Sequence, residues 1–211
     1  QVVIANMAGI EQTALREQAA EFGAEKDAAW VFPQQDFPDM VTLGPKKSFG
    51  YFCTTWHYTL NEPGVKEFTE RFRKRWADAP IPVPDNVSCN GYLAARELLR
   101  AVERAGTTKS HEVIKALEGH VIKDNFRKYP SVIREWDHLV GQMLYLARTK
   151  KVSEMKDKYD MIEMMSAVPP EAASPPRGSG GRCAAPIARP SSRPRHSCSA
   201  MSKSCPRTAT S

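Results

Sequence analysis

The chain has 211 residues, 41% of them hydrophobic and 26% charged, which is enough apolar material for one domain or two small lobes and excludes a peptide hormone. Its net charge of +6 suggests a nucleic-acid or membrane-surface protein until the charge is located. From Pro169 to Ser211 seven Lys and Arg stand against one acid, Glu171, so the preceding residues 1–168 are neutral.

Val2-Val3-Ile4 reads as a buried strand, followed by the turn Asn6-Met7-Ala8-Gly9 and a helix over about 12–22 that stops at Gly23. Residues 28–32 predict a second strand running into a Gln34-Gln35-Asp36 loop, and residues 50–55 a third. Strands that alternate with helices predict an α/β fold with a mostly parallel sheet. Pro63 opens a helix whose Val65, Phe68, Phe72 and Trp76 share one face. A proline at every second position makes residues 79–84 a non-helical linker. The most regular helix runs from near Asn86 to Gly106, with Tyr92, Ala95, Leu99 and Val102 in phase; Ser110 caps another that ends at Gly119. Residues 139–148 suggest one long strand, and residues 151–168 a mixed closing segment.

The final 43 residues hold eight of the 16 prolines and three of the five cysteines, and contain no Phe, Trp, Tyr, Leu or Val. Ordering them costs roughly 1 kcal/mol or more per residue, which Ile187 and Met201 cannot offset. The expectation is a disordered basic tail from Pro169, with a composition typical of a reading-frame shift between about Ala172 and Arg182.

The chemistry-bearing residues point away from catalysis. No two of His57, His111, His120, His138 and His196 have helical metal spacing, and Cys183, His196, Cys198 and Cys205 fit no zinc pattern, so no metal or cofactor is expected. Gly44-Pro45-Lys46 lacks the glycine spacing of a phosphate loop, and no nucleophile elbow is present. What stands out is amide and aromatic chemistry where strands end: Asn6, then Phe32 and Gln34, then Trp56, His57 and Tyr58. Open α/β sheets collect ligands at those ends.

The ordered set Val2 to Gly9, Gln18 to Gly23, Gly50 to Trp56, Phe68-Thr69-Glu70-Arg71-Phe72, Val102-Glu103-Arg104-Ala105-Gly106 and Ile133 to Leu146 resembles the C-terminal part of type I periplasmic solute-binding proteins of the branched-chain amino-acid and amide branch. The resemblance covers about residues 1–168 and implies Rossmann-like lobes joined by crossing strands, here incomplete and followed by the disordered tail. It divides the chain into 1–49 as part of lobe 2, 50–140 as hinge crossing and the C-terminal part of lobe 1, and 141–168 as the return to lobe 2.

The implied function is that of the periplasmic receptor of an ABC importer. Such a receptor is a monomer or weak dimer that passes an amino acid or amide to permease subunits, without nucleic acid or enzymatic activity. A sensory module of the same fold is the alternative. The chain is expected to be a truncated form. Candidate ligand contacts are Asn6, Met7, Ala8 and Gly9 as a polar edge, Phe32 at the end of the second strand, Gln34 or Asp36 as ammonium partner, and Trp56 or Tyr58 as the wall. The loop offers Gln34-Gln35 in place of an unambiguous Glu, which leaves amides, urea-like solutes and aromatic acids open.

Overall fold

β-Branched residues open the chain as β1 (Val2–Ile4) in the computed structural model, which describes residues 1–178. A helix, α1 (Gly9–Phe22), leads to β2 (Ala29–Gln34), and Gly23 ends it at φ 75°, where its N–H bonds back to the last turn. A short helix, α2 (Phe37–Leu43), precedes β3 (Tyr51–Thr54). The sequence offers no signal for α2, because seven residues give too few turns for apolar periodicity to show.

Three helices follow: α3 (Val65–Arg75), α4 (Asn86–Ala105) and α5 (Ser110–Leu117). Asp85 caps α4 by accepting from the Ser88 N–H at 2.7 Å, while the Asp85 N–H donates to Ser88 Oγ at 2.8 Å. Then come β4 (Val121–Ile122), β5 (Ser131–Ile133), β6 (Val140–Gly141), β7 (Leu144–Thr149), β8 (Ile162–Val168) and α6 (Pro170–Ala173). The single long strand expected over 139–148 is therefore divided: Gly141 pairs in one sheet, Leu144 begins in another, and Met143 between them is fully buried.

The larger sheet has the order β1-β2-β3-β7-β8. Its first three strands are parallel, connected by α1 and α2, while β7 and β8 add antiparallel. The aligned row Phe32, Phe52 and Ala147 is solvent-free and packs with Phe37, Met40 and Val83, so the Pro-rich linker supplies part of the sheet's core. A second core joins Trp56, Val65, Phe68, Cys89 and Leu93 between α3 and α4. The small sheet β4-β5-β6 is antiparallel throughout.

Disorder was expected from Pro169, and the first ten residues of that segment are ordered instead. Arg134 Nη1 donates to the Pro175 carbonyl at 2.8 Å, and the guanidinium groups of Arg134 and Arg177 lie 5.1 and 5.3 Å from the Trp136 ring. The described part of the tail has no apolar side chain larger than proline, and Arg134 and Trp136 next to the small sheet dock it through a carbonyl and a cation. The remainder of the expected tail, residues 179–211, lies outside the described residues, as does the end of the interval assigned to a frame shift, residues 179–182.

Candidate functional site

Because β1, β2 and β3 are parallel, their C-terminal turns meet at one edge of the sheet. The first turn is Asn6–Ala8, all exposed, and Gly9 starts α1 with φ 64°. The second is Gln34–Asp36, where Gln34 is exposed and Asp36, half-buried, occupies the N-cap of α2 without making a side-chain cap bond. Burial, and then the charge of Asp36, raise the Asp39 carboxyl above its ordinary range. Gln12 joins the two turns: its Nε2 donates to Met7 O at 2.9 Å and to Gln34 O at 2.8 Å.

The structure thus brings together Asn6, Met7, Ala8, Gly9, Gln34 and Asp36, and places the aromatic candidates deeper. Phe32 has no exposed surface; its ring lies between Trp30, Phe49 and the Arg16 guanidinium, 3.7 Å from its centroid. Trp56 is 1% exposed and meets Phe68 edge-on at 5.7 Å in the α3–α4 core. Tyr58 is half-buried beside Phe37 and Arg73, and burial pushes its hydroxyl above the ordinary range.

Residues 55–58 are shared by both cores. Trp56 enters the helical one, whereas His57 and Tyr58 meet Phe37 of α2 at 5.5 and 6.2 Å. Arg127, buried in the β4–β5 connection, donates through Nε to Thr55 O at 2.9 Å, and Asn90 of α4 donates to Thr55 Oγ1 at 3.0 Å. Sequence reasoning missed Gln12, Phe37, Asn90 and Arg127. Gln12, Arg16 and Ala19 form the buried face of α1 at helical spacing, but two of the three are polar, so hydrophobic periodicity is silent there.

His57 gives a pH prediction. It is 1% exposed; its Nδ1 meets Thr59 Oγ1 at 2.8 Å, and its Nε2 has no partner among the described residues. Burial, aided by Lys150 and opposed by Asp160, pushes its pKa from 6.5 down to about 3. A base whose folded pKa is lowered leaves more protons on the unfolded chain between those two values, so stability is full above 6.5 and is lost as pH falls toward 3. The loss approaches about 1.4 kcal/mol per pH unit. His57→Phe, which keeps a ring against Phe37, is expected to flatten this dependence. Urea unfolding at pH 7 and 4.5 checks it, and equal slopes for the two proteins would refute it.

A cavity of about 480 Å³ lies elsewhere, between α4, α5 and the small sheet. Leu98, Ile114 and Val140 line it and are 51%, 41% and 44% exposed. Its Asn90, Arg127, Asn125 and Ser131 bond to one another rather than into the space. An apolar hollow whose polar groups are already paired has the character of an unfilled packing surface, not of a solute site.

The family described as periplasmic binding protein matches residues 1–156. A periplasmic binding protein from Burkholderia mallei superimposes with TM-score 0.73 at 22% identity, over 84% of this chain and 45% of that one. A branched-chain amino acid ABC transporter periplasmic ligand-binding protein from Burkholderia xenovorans LB400 gives 0.69 at 22% identity, over 82% and 45%. A solute-binding protein of an ABC transporter from Rhodopseudomonas palustris BisB5, in complex with 3,4-dihydroxybenzoic acid, gives 0.65 at 16%, over 80% and 45%. The chain therefore spans less than half the length of these structures. No curated protein matches it.

Proposed function

Because the chain belongs to the periplasmic binding protein family, we propose that it forms part of an extracytoplasmic solute receptor of an ABC importer. The receptor would take a branched-chain amino acid or related small solute between two lobes and present it to permease subunits in the membrane. In this reading residues 1–49 and 141–168 belong to one lobe, and residues 50–140 to the crossing and the other lobe. Among the described residues no helix is long and apolar enough to cross a membrane.

The observation that carries the proposal is the edge where the turns after β1 and β2 present the exposed amides of Asn6 and Gln34 and the half-buried carboxyl of Asp36, tied to each other by Gln12. Asn6–Gly9 supply the polar rim, Gln34 or Asp36 receives an ammonium or amide N–H, and Tyr58 backs the apolar side. Phe32 and Trp56 support this edge from the two cores. The solute's other contacts come from a portion of the fold beyond this chain, since the similar structures are more than twice its matched length.

Calorimetry with leucine, valine, urea and 3,4-dihydroxybenzoate tests the proposal, on this chain and on a form extended to two lobes. The expected result is binding by the extended form, weakened at least about tenfold for leucine by Asp36→Asn, since a hydrogen bond to a charged group contributes about 1.5–3 kcal/mol. Silence toward all four solutes in the extended form would overturn it.

A further inference from the structure

The edge described above is held by one buried carboxamide. Gln12 is 2% exposed on α1, and its two N–H bonds are both used, one on the carbonyl of Met7 and one on the carbonyl of Gln34. Those carbonyls follow different strands. The ladder between β1 and β2 ends with Ala5 N–H donating to Val31 O at 2.9 Å, and the ladder between β2 and β3 slips register between Phe32 and Gln34. The β2–β3 pairing resumes with Gln34 opposite Cys53, so beyond the last β1–β2 bond it is the Gln12 bridge that ties the turn after β1 to the end of β2.

The chemistry of this tie is restrictive. Two carbonyl oxygens approached from one buried point need a neutral group with two donors on one atom, which the side-chain amide provides. A carboxylate there would face both carbonyls with negative charge, and an aliphatic side chain would leave both without a partner in a dry environment. β1 has only three residues and lies at the sheet edge with Val2 and Ile4 exposed, so it contributes little rigidity of its own.

We propose that Gln12 is a positioning residue of the solute edge. It sets the separation of the Asn6–Gly9 and Gln34–Asp36 turns, so that groups on both reach one solute without an ordering step on binding. This rests on the reading of those turns as solute contacts.

The test is amide hydrogen exchange, resolved by residue, on the full chain with Gln12→Leu and Gln12→Glu. A control, Met161→Ala, empties a buried position of the sheet core outside these turns. Both Gln12 variants are expected to accelerate exchange about tenfold at residues 6–9 and 34–36 together, while β7 and β8 change no more than in the control. Release of one turn without the other, or acceleration spread evenly as in the control, would overturn the proposal. If Gln12→Leu fails to fold, Gln12→Glu, which keeps the side-chain volume and cannot donate to both carbonyls in either protonation state, decides it. Adding leucine or 3,4-dihydroxybenzoate to an extended two-lobe form tests the underlying reading separately. Protection of both turns supports the solute assignment, and no protection removes that assignment while the exchange pattern still decides the tie.

Discussion

Arg16→Met is expected to make the chain more stable by about 1–4 kcal/mol, the range in which well-packed apolar groups replace buried charges. Arg16 is 1% exposed, and Nε, Nη1 and Nη2 all lack a hydrogen-bond partner among the described residues. The guanidinium rests on the Phe32 ring at 3.7 Å and lies 5.6 Å from that of Phe49. A desolvated cation–π contact contributes about 2 kcal/mol, whereas removing a charge from water costs several kcal/mol even after relaxation. The penalty wins, and burial accordingly pushes the Arg16 pKa down to about 9. Methionine reaches the same space and packs its thioether on the same ring.

The pH dependence separates this account from simple repacking. The unfolded chain holds the Arg16 proton far into the alkaline range and the folded chain only up to about 9, so the destabilisation is complete below 9 and declines as pH rises above it. The gap between the variant and the original protein should therefore narrow between pH 7.5 and 10 in urea unfolding. A variant less stable at pH 7.5 would mean that Arg16 has a counter-ion in solution.

Trp56→Ala is expected to cost about 3–5 kcal/mol with no solute present, the range for emptying an aromatic site in a core. The indole is buried against Phe68, Val65, Cys89 and Leu93, in the segment that also inserts His57 and Tyr58 beside Phe37. Its loss opens a cavity where the two cores share one stretch of backbone. Trp56→Phe should cost far less, because the buried indole Nε1 has no acceptor among the described residues and its removal relieves an unmet donor. Denaturant unfolding of the three proteins checks this. If Trp56→Ala left stability within about 0.5 kcal/mol of the original, the indole would face a solute space rather than a core.

How the site sits in the sequence follows from the range of the forces involved. The turn Asn6–Gly9 is legible because a β-branched run must end where Asn, Ala and Gly follow it, and Asp36 because Pro33 ends the second strand and a polar loop follows. Phe32 and Trp56 are expected at the solute edge on the same positional grounds. Which way a strand-end aromatic turns depends on what packs beneath it, and here the rings of Trp30 and Phe49 and the helices α3 and α4 claim them.

The elements of the body were determined locally. In α4 the Asp85–Ser88 cap and Gly106 lie at the flanks of one 20-residue helix, so the chain specifies its extent without reference to anything distant, but the face it buries is Cys89, Leu93, Glu97 and Ala101 rather than the expected Tyr92, Ala95, Leu99 and Val102, of which Leu99 is 70% exposed. Tertiary contact decided the rest. β8 is a strand through its pairing with β7 from Leu144↔Val168 to Thr149↔Ile162, residues 139–148 divide because two sheets compete for them, and α2 persists because Phe37 and Met40 find the sheet core. The tie at the functional edge belongs to the same class. Gln12 lies 22 residues from Gln34 in the chain, and only the parallel arrangement of β1 and β2 carries both carbonyls to a side chain whose polarity, read alone, marks it as solvent-facing.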